Sequence, residues 1–107
     1  MANQSEARVL DALGDPTRRA VLELVRSKER PVGEIARRLP VSRPAVSQHL
    51  RVLKQAGLVR DRQEGNRRLY SVDGRGLGTL RRFLERHWDA ALAAFAEAAD
   101  GRGRGRR

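Results

Sequence analysis

Val32–Val59 reads VGEIARRLPVSRPAVSQHLRVLKQAGLV, and the punctuation of this stretch decides the fold. Ile35, Ala36 and Leu39 recur at helical spacing, so a short amphipathic helix is expected first. Pro40 lacks an N–H and restricts the residue before it, so it is expected to stop that helix. Ser42 is a natural N-cap for a second helix, with Pro44 accommodated in the first turn, where backbone N–H groups have no intrahelical partner. Gly57 supplies the left-handed residue that commonly closes a helix. Two short helices separated by a tight break form a helix-turn-helix, the arrangement that lays its second helix in the DNA major groove.

On a helical wheel, Ser42–Ala56 divides into two sides. Val46, Leu50 and Leu53 fall together, flanked by Ala45, His49 and Ala56, and this side is expected to pack on the core. The opposite side presents Arg43, Pro44, Ser47, Gln48, Arg51 and Gln55. Arg pairs bidentately with guanine and Gln with adenine, while Ser reaches a base or a phosphate. The plain alternative is a solvated helix face. The short helix before it and the hairpin after it favour base-edge chemistry.

That hairpin is Leu58–Glu64, a Gly65-Asn66 turn, then Arg67–Val72. Val59, Leu69, Tyr70 and Val72 supply β-favouring side chains, and Arg60, Arg62, Arg67 and Arg68 decorate the ribbon. A basic-tipped hairpin directly after a reading helix is a wing, whose Arg side chains suit a narrow minor groove. The residues expected to touch DNA are therefore Ser42, Arg43, Pro44, Ser47, Gln48 and Arg51 on the helix, with Arg62, Asn66, Arg67 and Arg68 on the wing. The fold class expected is mainly α with a small β-hairpin, a winged helix-turn-helix.

Three blocks, LGDPTRRAVLELV (Leu13–Val25), VSRPAVSQHLRVLKQAGLV (Val41–Val59) and EGNRRLYSV (Glu64–Val72), resemble those of ArsR-type winged-helix transcriptional repressors in order and spacing. FLERHWDAALAAF (Phe83–Phe95) is similar to the branch of that family that does not sense metal. The resemblance implies a homodimeric repressor on a pseudo-palindromic operator, in the bacterial cytoplasm and on the nucleoid when bound. Metal-sensing members carry paired cysteines where this chain has Pro31, Val32 and Gly33. Another family site uses carboxylates and histidines on the last helix. Here His87 stands near Glu85 and Asp89, but Ala98 and Ala99, further along, cannot ligate. Zinc wants three or four ligands in fixed geometry, so neither a metal nor any other cofactor is expected.

The flanking helices suggest how two copies meet. Ser5–Leu13 carries Val9, Leu10 and Leu13 on one side. Asp15 is expected to cap the next helix, with Pro16 at its first position and Val21, Leu22, Leu24 and Val25 running into the core. The last helix, roughly Leu77–Ala99, presents Leu80, Leu84, Trp88, Ala91 and Phe95 at steps of three or four. A small domain already packed around Leu22, Ile35, Leu50 and Leu53 leaves part of that stripe without an intrachain partner. The expected dimer seam is Val9, Leu10, Leu84, Trp88, Ala91 and Phe95. Asp73-Gly74 and Gly76/Gly78 are expected to form a flexible or tightly turned joint before the last helix.

Composition sets the outer limits. At 107 residues there is room for one domain, expected over 1–100, followed by a disordered Gly/Arg tail over 101–107. The formal net charge is +10, and removing the four Arg of the terminal GRGRGRR still leaves +6, which suits a polyanionic partner. Of the 23 basic residues all but two are Arg, a bias that GC-rich coding also produces. There is no Cys, hence no disulfide and no thiolate site. No apolar run approaches a membrane span, and no charged-then-apolar leader opens the chain. No catalytic nucleophile with its base and no phosphate-binding Gly loop is present, so an enzyme is not expected. The expected partners are double-stranded DNA and a second copy, with no effector identified. Nonspecific DNA coating, a metal-responsive repressor and a protein-docking winged helix stay open as alternatives.

Overall fold

Asn3 opens the first helix with a reciprocal cap. Its side chain accepts a hydrogen bond from the Glu6 N–H (2.9 Å), and the Glu6 carboxylate accepts one from the Asn3 N–H (3.2 Å). The computed structural model describes residues 3–105, with side chains as far as Asp100. Helix α1 spans Gln4–Leu13 and α2 spans Pro16–Ser27. Asp15 caps α2 as expected, accepting from the Arg18 N–H at 3.0 Å, with Pro16 in the first turn. The arginines of that block turn back on α1. Arg18 Nε donates to the Ala12 carbonyl (2.8 Å) and Arg19 to the Leu13 carbonyl (2.6 Å), satisfying acceptors that the end of α1 leaves open.

Strand β1 is Arg30–Pro31, α3 is Val32–Arg37, α4 is Arg43–Gln55, β2 is Val59–Glu64 and β3 is Arg67–Val72. Helix α3 ends three residues before Pro40, so the proline is not its terminator, and Leu39 lies in the connecting turn while still packing against the core. Ser42 caps α4 by accepting from the Ala45 N–H (3.2 Å). Gly57 closes it at φ +73°. Arg67 pairs with Glu64 across a two-residue loop in which Gly65 alone has positive φ, a type II′ hairpin turn. The expected hairpin is thus present, and a third strand joins it. β1 pairs antiparallel with β3 (Arg30 with Tyr70, Pro31 with Leu69), giving the order β1-β3-β2. Two residues including a proline carry no strand pattern of their own.

One core serves these elements. Val9, Ala12, Val21, Leu22, Val25, Ile35, Val46, Leu50, Leu53, Leu58 and Val59 are buried together. Val9 is only 1 % exposed, so it is corrected from the expected dimer seam to the intrachain core; α1 turns Glu6, Val9 and Ala12 inward and Leu10 outward.

Helix α5 runs Gly74–Gly105, starting three residues earlier than expected. The glycines are therefore not a flexible joint but its first turns. Gly76 packs directly on the end of α4, its N–H donating to the Gly57 carbonyl at 2.7 Å. Helical backbone continues past Asp100 to Gly105. Residues 106–107, the end of the expected tail, lie outside the described residues. Among the described residues no helix is long and apolar enough to cross a membrane.

Candidate nucleic-acid interface

Packing of α4 decides what it shows. Val46, Leu50 and Leu53 are buried and Ala45, His49, Val52 and Ala56 half-buried, which turns the other side of the helix out. Arg43, Pro44, Ser47, Gln48, Arg51 and Gln55 are all exposed on that side. With 13 residues, α4 is about 20 Å long, enough to lie along a major groove. Among the described residues, no carboxylate pairs with Arg43 or Arg51 and no side-chain hydrogen bond engages Ser47 or Gln48. This face is polar, basic and free of internal partners.

The wing is different, and here the structure changes the expectation. Arg62 donates to Glu29 (3.0 and 2.8 Å) and to Glu64 (2.9 Å). Its guanidinium is held still more firmly in the charged form, by Glu29 first and then Glu64. Arg68 donates to Asp61 at 2.6 Å. Asp61 is nearly buried and also takes Lys54 of α4 at 2.8 Å, so one carboxylate ties the end of α4 to the wing. Lys54 and then Arg68 keep that carboxyl below its ordinary value despite the opposing effect of burial. The ribbon is thus a network of paired charges rather than a uniformly basic tip. Arg62 and Arg68 are paired with carboxylates in the free chain while their side chains stay half exposed. Arg67, 3.6 Å from Glu64, and Asn66 in the turn are the projecting polar groups at the tip.

Sequence reasoning missed several groups that position this surface. Glu6, 3 % exposed, receives the guanidinium of Arg86 and so ties α1 to α5; the Arg86 contact is the main reason its carboxyl lies below its ordinary value. Arg30, also buried, donates to the Leu24 carbonyl (2.9 Å) and to Glu34 (2.5 Å), binding α2 to α3. Glu34 and Arg30 stand four apart, but Arg30 lies in β1 and Glu34 in α3, so their pairing rests on the strand-to-helix turn rather than on a helix face. Glu6 and Arg86 offered no sequence signal of their pairing.

On α5 the expected stripe is uncovered beyond Leu80, which is half-buried against the core. Trp88 is 54 % and Phe95 67 % exposed, Leu84, Ala91 and Leu92 are exposed with them, and Leu77 of α5 and Leu10 of α1 are exposed to a lesser degree. Leu77, Leu80, Leu84 and Trp88, with Arg81 and Glu85, line an open apolar groove of about 380 Å³. His87 does not stand in a ligand cluster; its ring packs at 4.5 Å on Phe83. Among the described residues no three His, Asp or Glu side chains converge as a metal site would require.

Comparison with known proteins places this geometry. Residues 15–61 match the model of the bacterial regulatory protein, arsR family. The HTH-type transcriptional regulator Rv2034 of Mycobacterium tuberculosis is 52 % identical over 100 residues, covering 94 % of each chain. An ArsR-like transcriptional regulator from Rhodococcus sp. RHA1 superposes with a TM-score of 0.72 at 37 % identity, over 89 % of this chain and 92 % of that one. The homodimeric winged helix-turn-helix DNA-binding domain of Mb0332 from Mycobacterium bovis, a possible ArsR-family regulator, does so with a TM-score of 0.65 at 33 % identity, over 82 % of both.

Proposed function

This chain belongs to the arsR family of bacterial regulatory proteins, whose members matched here are transcriptional regulators rather than enzymes, and from that premise we propose that it is a sequence-specific, homodimeric repressor of transcription. The observation that carries the reading is the outward face of α4: Arg43, Pro44, Ser47, Gln48 and Arg51 exposed together, without internal partners. Phosphate attraction alone needs no Gln or Ser at the centre of such a face. Gln48 reads an adenine edge, Ser47 and Arg51 contact neighbouring bases or phosphates, and Arg67 and Asn66 at the wing tip anchor the flanking backbone.

Two copies meet through α5 and the outer side of α1. The support is the uncovered stripe of Leu10, Leu84, Trp88, Ala91, Leu92 and Phe95, since burying a large apolar side chain contributes about 1.5–3 kcal/mol. The homodimeric state of the Mycobacterium bovis neighbour supports a dimer. A two-fold dimer places its reading helices about 34 Å apart, in successive major grooves on one side of a pseudo-palindrome. Occupying that much duplex excludes other proteins from it, which is the physical basis of repression.

Selection of bound duplexes from a random pool tests the reading. The wild type is expected to yield a pseudo-palindrome, and Gln48→Ala to relax one position per half-site at a loss of about 1–3 kcal/mol. An unchanged motif for Gln48→Ala would refute the docking of α4. A pool with no motif at all would favour nonspecific DNA coating.

A further inference from the structure

Arg37 ends α3 and Arg43 begins α4, and the turn between them brings their side chains to one place. The Nη1 atoms of both lie 3.8 Å from the point a Cβ on Gly33 would occupy, with Arg43 Cζ at 3.9 Å from it. Both residues are exposed, and among the described residues neither has a carboxylate partner. The acid nearest in sequence, Glu34, is already held by Arg30 (2.5 Å) and Arg38 (3.6 Å). Two guanidinium groups drawn over a residue without a side chain repel one another and gain nothing from the chain itself. An anion between them reverses that balance.

We propose that Arg37 and Arg43 together clamp one phosphate of the DNA backbone, in a notch floored by Gly33. The clamp rests on the reading of α4 as a DNA-binding helix and adds a residue, Arg37, and a role. Arg43 anchors backbone there rather than recognising guanine. Guanidinium forks match phosphate oxygens, and two forks can satisfy both non-bridging oxygens of one phosphate. The notch lies over the first turn of α3, where Arg43 reaches across from the first turn of α4, so a phosphate held in it fixes how deeply that turn of α4 enters the groove, without itself reading sequence.

The test is a binding titration of the full chain against its selected duplex and a scrambled one, at several salt concentrations. Arg37→Ala and Arg43→Ala are each expected to weaken both duplexes about tenfold and to lower the salt slope by about one. The double variant should lose less than the product of the two, because both side chains act on one phosphate. Gly33→Glu gives a second route that leaves both arginines in place. Its carboxylate would fill the notch from within, so melting should stay at or above the wild-type temperature while both duplexes are weakened. An unchanged salt slope for Arg37→Ala would overturn the clamp, as would a loss confined to the selected duplex. Wild-type protein that bound no duplex would instead overturn the DNA reading of α4 beneath it, an outcome distinct from either.

Discussion

Replacing Gly76 by alanine should lower stability by about 2 kcal/mol, although alanine is the better helix former. A Cβ at Gly76 would sit 2.7 Å from the Gly57 oxygen, 2.8 Å from the Gly57 carbonyl carbon and 2.9 Å from the Ala56 oxygen. All three are backbone atoms, so no rotamer change relieves the overlap. The start of α5 must lift away from the end of α4, at a cost of about 1–3 kcal/mol for overpacking. Lifting also stretches the Gly76 N–H to Gly57 carbonyl bond of 2.7 Å, worth about 1 kcal/mol. The helix gain returns about 0.5–1 kcal/mol. The net corresponds to a fall in Tm of about 10 °C for a domain of this size. Circular-dichroism melting at one fixed protein concentration measures it, since any dimer makes Tm depend on concentration. Gly74→Ala is the control, because nothing lies within 4 Å of its Cβ position. It should be neutral or stabilising by up to about 1 kcal/mol. A Gly76→Ala protein that melted with the wild type, or a Gly74→Ala protein equally damaged, would refute the close-approach argument.

The Asp61 brace makes a pH prediction. Its carboxyl is held below its ordinary value by Lys54 and Arg68, so its contribution is present above the unfolded aspartate pKa and is lost as pH falls through the lower folded value. Asp61→Asn should therefore melt lower than wild type near neutrality and lose less on acidification below about pH 4; parallel Tm–pH curves would contradict the brace. On α5, the proposed dimer helix, Trp88→Ala should shift sedimentation toward monomer and weaken operator binding steeply, because a single half-site binds poorly. Full dimerisation of that variant would remove Trp88 from the seam.

Much of this molecule was legible because its signals act over a few residues. Asp15 with Pro16, Ser42 with Pro44, and Gly57 each specify a helix end through bonds or dihedrals within four positions, and the structure shows each in that role. The inward and outward sides of α4 followed from its period, since a helix packed on one core has only one way to bury Val46, Leu50 and Leu53. The hairpin followed from Gly65-Asn66 between β-favouring runs.

Tertiary structure alone decided which distant groups face one another. Arg62 reads as a free wing cation until folding brings Glu29, thirty-three residues away, against it. Glu6 reads as a surface acid until Arg86, eighty residues on, closes over it. Val9 lies in the same apolar run as Leu10, and the rotation of α1 against the core sends one inward and the other out. The strand Arg30–Pro31 exists only because β3 lies beside it, and the role of Gly76 exists only because Gly57 does. Caps, turns and periodicity are set by neighbours along the chain, so composition and spacing carry them. Charge pairing, close backbone approach and the choice of buried face are set by neighbours in space, and those positions are fixed only when the whole chain packs around one core.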